Sequence, residues 1–335
     1  MMKNKVKWGI ISTGHISGKF ANALKILPDA ELVAVASRTN EKAEKFAREY
    51  NIPKAYSNYQ ELADDKNIDV VYIGTPHTFH LENSIMCMRS GKSVLCEKAL
   101  TINAEEAKEM VRIAHEENVF LMEAMIPRQV PLLRKVMQWV IDGRIGEVRM
   151  VKASRCANGD FPDEARQLNP KLGGGSLLDV GVYVISFAFQ VFGKPPIDAV
   201  GLSHIGGIGS DEQGVAILKY DKGEIADLSF ALRTEAINEA YILGTKGMIK
   251  IDDVFAVPTK ASLLINKKEV ETIEEPIVGN ALNYEAEEVM RCLREGLKES
   301  PFMPLDESIQ IMETMDKIRK PWGLVYPNDL KNINN

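Results

Sequence analysis

The sequence is short of the features that mark several protein classes. Only four cysteines occur in 335 residues: Cys87, Cys96, Cys156 and Cys292. They lie far apart, form no Cys-x-x-Cys pair and have no histidines at metal-ligand spacing. That excludes a disulfide framework and a zinc module, leaves free thiols, and gives no reason to expect a metal. Positive charge is also in deficit, with 41 Lys and Arg against 47 Asp and Glu, a formal net charge of −6. Nucleic acids and anionic membranes select clustered cations, so neither is an expected partner, and a small soluble ligand is. No apolar run approaches the ~20 residues that span a bilayer. The short apolar run near the N-terminus soon meets Gly14, His15 and Lys19, which is no signal-peptide core. A cytoplasmic protein is expected.

Internal repeats, low-complexity tracts and long linkers are absent as well. A chain of this length exceeds one ordinary core, so two abutting domains are expected, split as residues 1–123 and 124–335. In the first, short β-branched runs alternate with helical periodicity: VKWGII, a helix through Phe20 and Leu24, AELVAVAS, NEKAEKFAREY, DVVYIGT, HLENSIMCMRSG, SVLCEKA, NAEEAKEMVRIAHEEN and VFLMEAM. Strand–helix alternation requires parallel pairing with right-handed crossovers, which predicts a doubly wound α/β sheet. In the second, a helix at LLRKVMQWVIDG and another at LLDVGVYVISFAFQVFG accompany strand-like runs joined by polar and glycine-rich turns. These runs include GEVRMVKASRC, AVGLSHIGG, EQGVAILKY, GEIADLSFAL, EAYILGT and GMIKIDD, and a final helical stretch is expected from about Tyr284 to Arg319. The pattern predicts an α+β domain with a large, mostly antiparallel sheet, one face under helices and the other open. Leu228, Phe230 and Leu232 are expected on the open face, as an interface between copies.

Glycine is missing where it would be most telling. Aligning Gly-x-Gly-x-x-Gly on Ser12-Thr13-Gly14-His15-Ile16-Ser17 keeps only the central Gly14, the position where a side chain would collide with a pyrophosphate. As a bare string this could be a generic strand-to-helix turn; its place in a first βαβ unit favours a dinucleotide site. About 20 residues on, where an acidic residue would hold the ribose of NAD, stand Ser37 and Arg38. A hydroxyl and a guanidinium suit a 2′-phosphate, which favours NADP while leaving NAD possible. A solvated arginine at a strand end is the plainer alternative.

Two later strands also end in polar residues. IGTPHTFH puts Thr75 and Pro76 along the cofactor path, with His77 and His80 behind them, where capping roles compete with ligand contact. LCEKAL puts Glu97 and Lys98 at the carboxyl end of the next strand, the side on which open α/β sheets bind ligands.

Together with GGGSLLDVGVYVI and GTKGMI, these stretches resemble the Gfo/Idh/MocA oxidoreductases, most of all their dimeric dihydrodiol dehydrogenase and NADP-dependent xylose dehydrogenase branch. The likeness runs from Lys7 to about Tyr326. It implies that Ser12–Ile16, Ser37, Arg38, Thr75, Pro76, His77, His80, Glu97 and Lys98 bind the cofactor. By the same resemblance Lys98 touches substrate hydroxyl and nicotinamide ribose, Asp179 orients the substrate, and Tyr183 stands at the acid/base position. Arg128 is expected at the substrate, which is a small sugar, polyol or cyclic diol. Assembly as a homodimer or homotetramer through the open sheet face is implied too. The chemistry is consistent: alcohol oxidation needs a group to take the hydroxyl proton, and a nearby ammonium stabilises an alkoxide. A non-catalytic NADP-binding regulator and an imine- or tetrapyrrole-type reductase of the same superfamily are the other readings.

The sequence departs from that family at three places. Ala99 replaces a proline after Lys98, so a cis bond is not expected there. Ile126 and Pro127 precede Arg128 where an aromatic residue and a threonine are usual. The loop SRCANGDFPDEARQLNP carries Arg155, Asp160 and Arg166 without an assigned role.

Overall fold

Buried β-branched runs and amphipathic helices alternate along the first part of the chain as the periodicity requires. In order they are β1 (Val6–Ile11), α1 (His15–Lys25), β2 (Ala30–Ala36), α2 (Asn40–Tyr50), β3 (Lys54–Tyr56), α3 (Tyr59–Asp64), β4 (Val70–Ile73), α4 (His80–Arg89), β5 (Ser93–Glu97), α5 (Ala104–Glu116) and β6 (Leu121–Ala124). The structure is a computed structural model that describes residues 5–162, 164–252 and 254–331. The six strands pair in parallel, in the order β3-β2-β1-β4-β5-β6. Strand order reverses between β1 and β4, which opens a crevice at their carboxyl ends. Trp8, Phe20 and Tyr72 are fully buried, and the Phe20 and Tyr72 rings stack 3.9 Å apart at 4°, seating α1 on β4.

The second sheet has eight strands, ordered β14-β13-β12-β11-β7-β10-β9-β8. They are β7 (Val148–Cys156), β8 (Asp198–Ile205), β9 (Asp211–Lys219), β10 (Ile225–Ala231), β11 (Ala240–Gly244), β12 (Gly247–Ile251), β13 (Lys260–Ile265) and β14 (Lys268–Glu274). All neighbours pair antiparallel except β7 and β10. Helices α6 (Ile126–Gln129) and α7 (Pro131–Ile141) precede it, and α8 (Val182–Phe192) follows β7 through a π-helical turn at Leu177–Gly181. The expected helix at LLDVGVYVISFAFQVFG therefore begins one wide turn before it becomes α-helical.

Three expectations need correction. Leu228, Phe230 and Leu232 are buried beneath the π turn and α8, with Phe230 so near the helix that a Cβ on Gly181 would lie 3.1 Å from its ring. The open face is the other parity, where Val200 (60% exposed) pairs with Ile217 and Leu202 (76%) with Val215. The last helical stretch is two helices, α9 (Leu282–Glu295) and α10 (Leu305–Arg319), because Gly296 closes the first and Pro301 and Pro304 interrupt the chain. A short α11 (Pro327–Lys331) follows. Strands β13 and β14 are additional to those read from sequence.

By packing, the chain gathers into two units. One holds the chain up to Thr101, Glu105–Met125 and Val278–Ser308; the other holds Ile102–Ala104, Ile126–Ile277 and the chain from Ile309 onward. The expected boundary after residue 123 falls within β6, and α9, which packs on α1, belongs with the first unit. Its buried stripe, Leu282, Ala286, Val289 and Met290, follows helical spacing and also carries Glu285.

Candidate active site

Between β1 and α1 the backbone must turn sharply. Ser12 takes φ +111°, the side of conformational space that favours glycine, and its hydroxyl accepts a hydrogen bond from Gly14 N–H at 3.1 Å. The Thr13 hydroxyl lies 3.4 Å from that of Ser37 at the end of β2. Gly14 is exposed, and a Cβ there would meet only Ser12 Oγ. The first N–H groups of α1, at His15 and Ile16, have no side-chain cap, so the corner offers unpaired donors to an anion. Ser17 Oγ lies where a Cβ on Gly74 would come within 2.6 Å, which explains small residues on both sides of that contact. Arg38 is exposed just beyond Ser37 and forms no ion pair among the described residues. These features fit a dinucleotide with a phosphorylated ribose.

The loops after β4 and β5 hold each other. His80 is fully buried; its Nε2 lies 2.9 Å from Thr75 O and its Nδ1 lies 3.0 Å from Ala99 O. His77 Nε2 lies 3.1 Å from Lys98 O, and Asn83 donates to Thr75 Oγ1 at 3.2 Å. Pro76, between them, caps the short turn His77–Phe79 with extended backbone. Both histidines thus bind the loop that presents Lys98. The Lys98–Ala99 bond is cis, contrary to expectation. Alanine supplies no prolyl preference; the carbonyls on both sides of the bond meet His77 and His80, and Leu100 N–H donates to Glu123 at 3.0 Å.

Lys98 is the one residue from Val94 to Ala104 that is not buried. Beneath it lie three buried carboxyls, Glu97, Glu123 and Glu285. Tyr72 donates to Glu97 at 2.5 Å, and Ser308 donates to Glu123 at 2.7 Å. Glu285 is fully buried, and neither of its oxygens has a hydrogen-bond partner among the described residues. Its burial, reinforced by Glu97 and Glu123 and opposed by Lys98, holds its carboxyl well above the usual range. Burial and Glu97 likewise push the Tyr72 phenol up.

The second unit likewise sets partly exposed polar groups on a buried stretch. From Gly173 to Phe189 every residue is buried except Asp179 and Tyr183. Asp179 pairs with Arg166 at 3.1 Å, giving that loop arginine a partner. Arg128 is buried, and its guanidinium donates to Ser186 Oγ at 3.0 Å and Ser186 O at 2.7 Å. Through Ser186 it is tied to α8.

Sequence reading missed Tyr72, Glu123 and Glu285. A signal existed for the two acids: Glu123 interrupts the apolar strand LMEAM, and Glu285 stands on the apolar stripe of α9.

Comparison with known proteins gives these residues their setting. Residues 6–125 match the family GFO_IDH_MocA, "Oxidoreductase family, NAD-binding Rossmann fold", and residues 133–250 match the GFO/IDH/MocA C-terminal domain. The chain belongs to the Gfo/Idh/MocA oxidoreductase family. It is 39% identical over 337 residues to trans-1,2-dihydrobenzene-1,2-diol dehydrogenase of Mus musculus, covering 97% of this chain and 99% of that protein. The Xenopus laevis protein of that name is 40% identical over 331 residues, covering 96% and 99%. Among solved structures, KijD10, a 3-ketoreductase from Actinomadura kijaniata in complex with NADP and TDP-benzene, superimposes with a TM-score of 0.84 at 26% identity, covering 95% and 98%. An aldose-aldose oxidoreductase from Caulobacter crescentus shares the fold with a TM-score of 0.86 at 21% identity, covering 95% and 97%.

Proposed function

We propose that this oxidoreductase is an NADP-linked dehydrogenase of small cyclic diols, sugars or polyols, oxidising a secondary alcohol or, in reverse, reducing its carbonyl. One observation carries the reading: Lys98, Asp179 and Tyr183 reach solvent from otherwise buried segments, in a chain 39–40% identical to dihydrodiol dehydrogenases. The corner Ser12–Ile16 would hold the pyrophosphate, and Ser37 with Arg38 the 2′-phosphate. Thr75, Pro76, His77, His80 and Glu97 would shape the nicotinamide side and hold the Lys98 loop. When bound, the nicotinamide supplies the hydride chemistry.

The protein's own task is the proton. Tyr183 takes it from the alcohol oxygen, and the Lys98 ammonium stabilises the negative charge that develops there. Asp179, held by Arg166, accepts a hydrogen bond from a neighbouring hydroxyl and fixes the substrate's orientation. That polar pair beside a phenol suits a hydroxylated substrate better than an imine or tetrapyrrole. The same reading makes the second unit the substrate and dimerisation domain, with copies paired through the apolar strip at Val200, Leu202, Val215 and Ile217, in the cytoplasm.

Fluorescence titration with NADPH and NADH, followed by turnover of a diol, aldose and polyol panel, tests this. We expect NADPH to bind at least about tenfold more tightly, since a charge-assisted contact contributes roughly 1.5–3 kcal/mol. Failure to bind either cofactor removes the reading.

A further inference from the structure

The run Gly173-Gly174-Gly175-Ser176 precedes the π turn and lies outside the cofactor corner. Its glycines have steric reasons. A Cβ on Gly174 would lie 2.5 Å from Asn169 N and 2.6 Å from Arg166 O; one on Gly175, at φ +139°, would lie 2.2 Å from Asp211 Oδ1. The backbone has been thinned at Gly175 to admit a carboxylate. Asp211, the first residue of β9, is fully buried. Its Oδ2 accepts the Ser176 hydroxyl at 2.7 Å and Leu177 N–H at 2.6 Å. These are the leading donors of the turn that carries Asp179 and runs into Tyr183.

We infer that Asp211 is a positioning residue whose carboxylate fixes the turn presenting Asp179 and Tyr183. The inference rests on the proposed function for its consequence in turnover, and on geometry alone for its consequence in the turn. The groups around the carboxylate are few. Arg319 is the nearby cation and is itself held by Asp316 and Asp329. The Tyr326 hydroxyl donates to Gly174 O at 3.1 Å, next to Gly175. Burial pushes the Asp211 carboxyl up to about 6, while the bonds from Ser176 and Leu177 pull the other way. Its charge therefore changes just below neutrality. A neutral acid accepts hydrogen bonds about half as strongly as a carboxylate, so the turn loosens as pH falls.

The test uses the full chain and Asp211→Asn, read by hydrogen–deuterium exchange over residues 176–183 and by the pH profile of kcat. In the wild type, opening of this segment should increase and kcat should fall about tenfold as pH drops through about 6. Asp211→Asn should open the segment at every pH, lower kcat about tenfold at pH 7.5, flatten its acid limb, and leave NADPH affinity unchanged. Wild-type exchange and an unaltered profile in the variant would overturn the inference. Should Asp211→Asn not fold, Ser176→Ala removes one of the bonds that favour the ionised form, and must move the acid limb to higher pH; an unmoved limb counts against the inference. Absence of turnover in the wild type would instead remove the proposed function, with exchange still deciding the role of Asp211.

Discussion

At the scale of single residues, the site is built from polar groups whose freedom is decided by what surrounds them. Tyr183 is partly exposed in the first turn of α8, in a stretch from Gly173 to Phe189 where only Asp179 shares that exposure. Tyr183→Phe keeps that packing and removes the proposed proton carrier. We expect kcat to fall roughly 10²–10⁴-fold with NADPH affinity unchanged, measured by steady-state kinetics and fluorescence titration. Glu285 poses a different question, being a fully buried carboxyl whose affinity for protons is raised by burial, Glu97 and Glu123. The folded chain keeps that proton where the unfolded chain releases it. Stability is therefore lost as pH rises above the unfolded value toward the folded one. Glu285→Gln abolishes this dependence, so its melting temperature relative to wild type should rise between pH 5 and pH 8. An offset that stays constant across that range contradicts the assignment. Residues of this kind were only partly legible. Gly14, Lys98, Asp179 and Tyr183 stand out by motif, whereas the groups that bond Glu97 and Leu100 on either side of Lys98, or bear on its charge, come from β4, β6 and α9, which no local pattern joins.

At the scale of elements, the alternation of buried runs and amphipathic helices dictates the parallel sheet, and the sequence shows it throughout residues 6–124. Alternation along β10 reveals two faces but not which one a helix covers, so Leu228 and Phe230 could be read as exposed when α8 lies on them. Similarly, the periodicity of α9 shows an apolar stripe without showing that α1 receives it. The Lys98–Ala99 loop was illegible for the same reason, since its hydrogen bonds come from His77, His80 and Glu123. Contact between α1 and β4 is tight at Ser17 and Gly74. Gly74→Ala would place a methyl 2.6 Å from Ser17 Oγ and 3.0 Å from Tyr72 Cε1. Overpacking of this sort costs about 1–3 kcal/mol, which urea denaturation should register together with weaker NADPH binding. Ser17→Gly combined with Gly74→Ala should recover part of the loss, because the clashing hydroxyl is then gone.

At the scale of the whole molecule, each unit contributes groups to the proposed site: the Ser12–Ile16 corner and Lys98 from the first, Asp179 and Tyr183 from the second. The apolar strip on the outer face of β8 and β9 accounts for the proposed pairing of copies. Leu202→Lys places a charge in its middle, where Leu202 faces Val215 across the strands. Light scattering should show the proposed dimer shifted to monomer, with the fold intact by circular dichroism; a wild type that is monomeric at all concentrations contradicts the pairing. The measurement closest to the central claim is a crystal structure of the protein soaked with NADP and a cyclic diol. The account predicts one diol oxygen within hydrogen-bond reach of both the Lys98 ammonium and the Tyr183 phenol, beside the nicotinamide. A diol bound elsewhere, or a nicotinamide remote from those two groups, would contradict it.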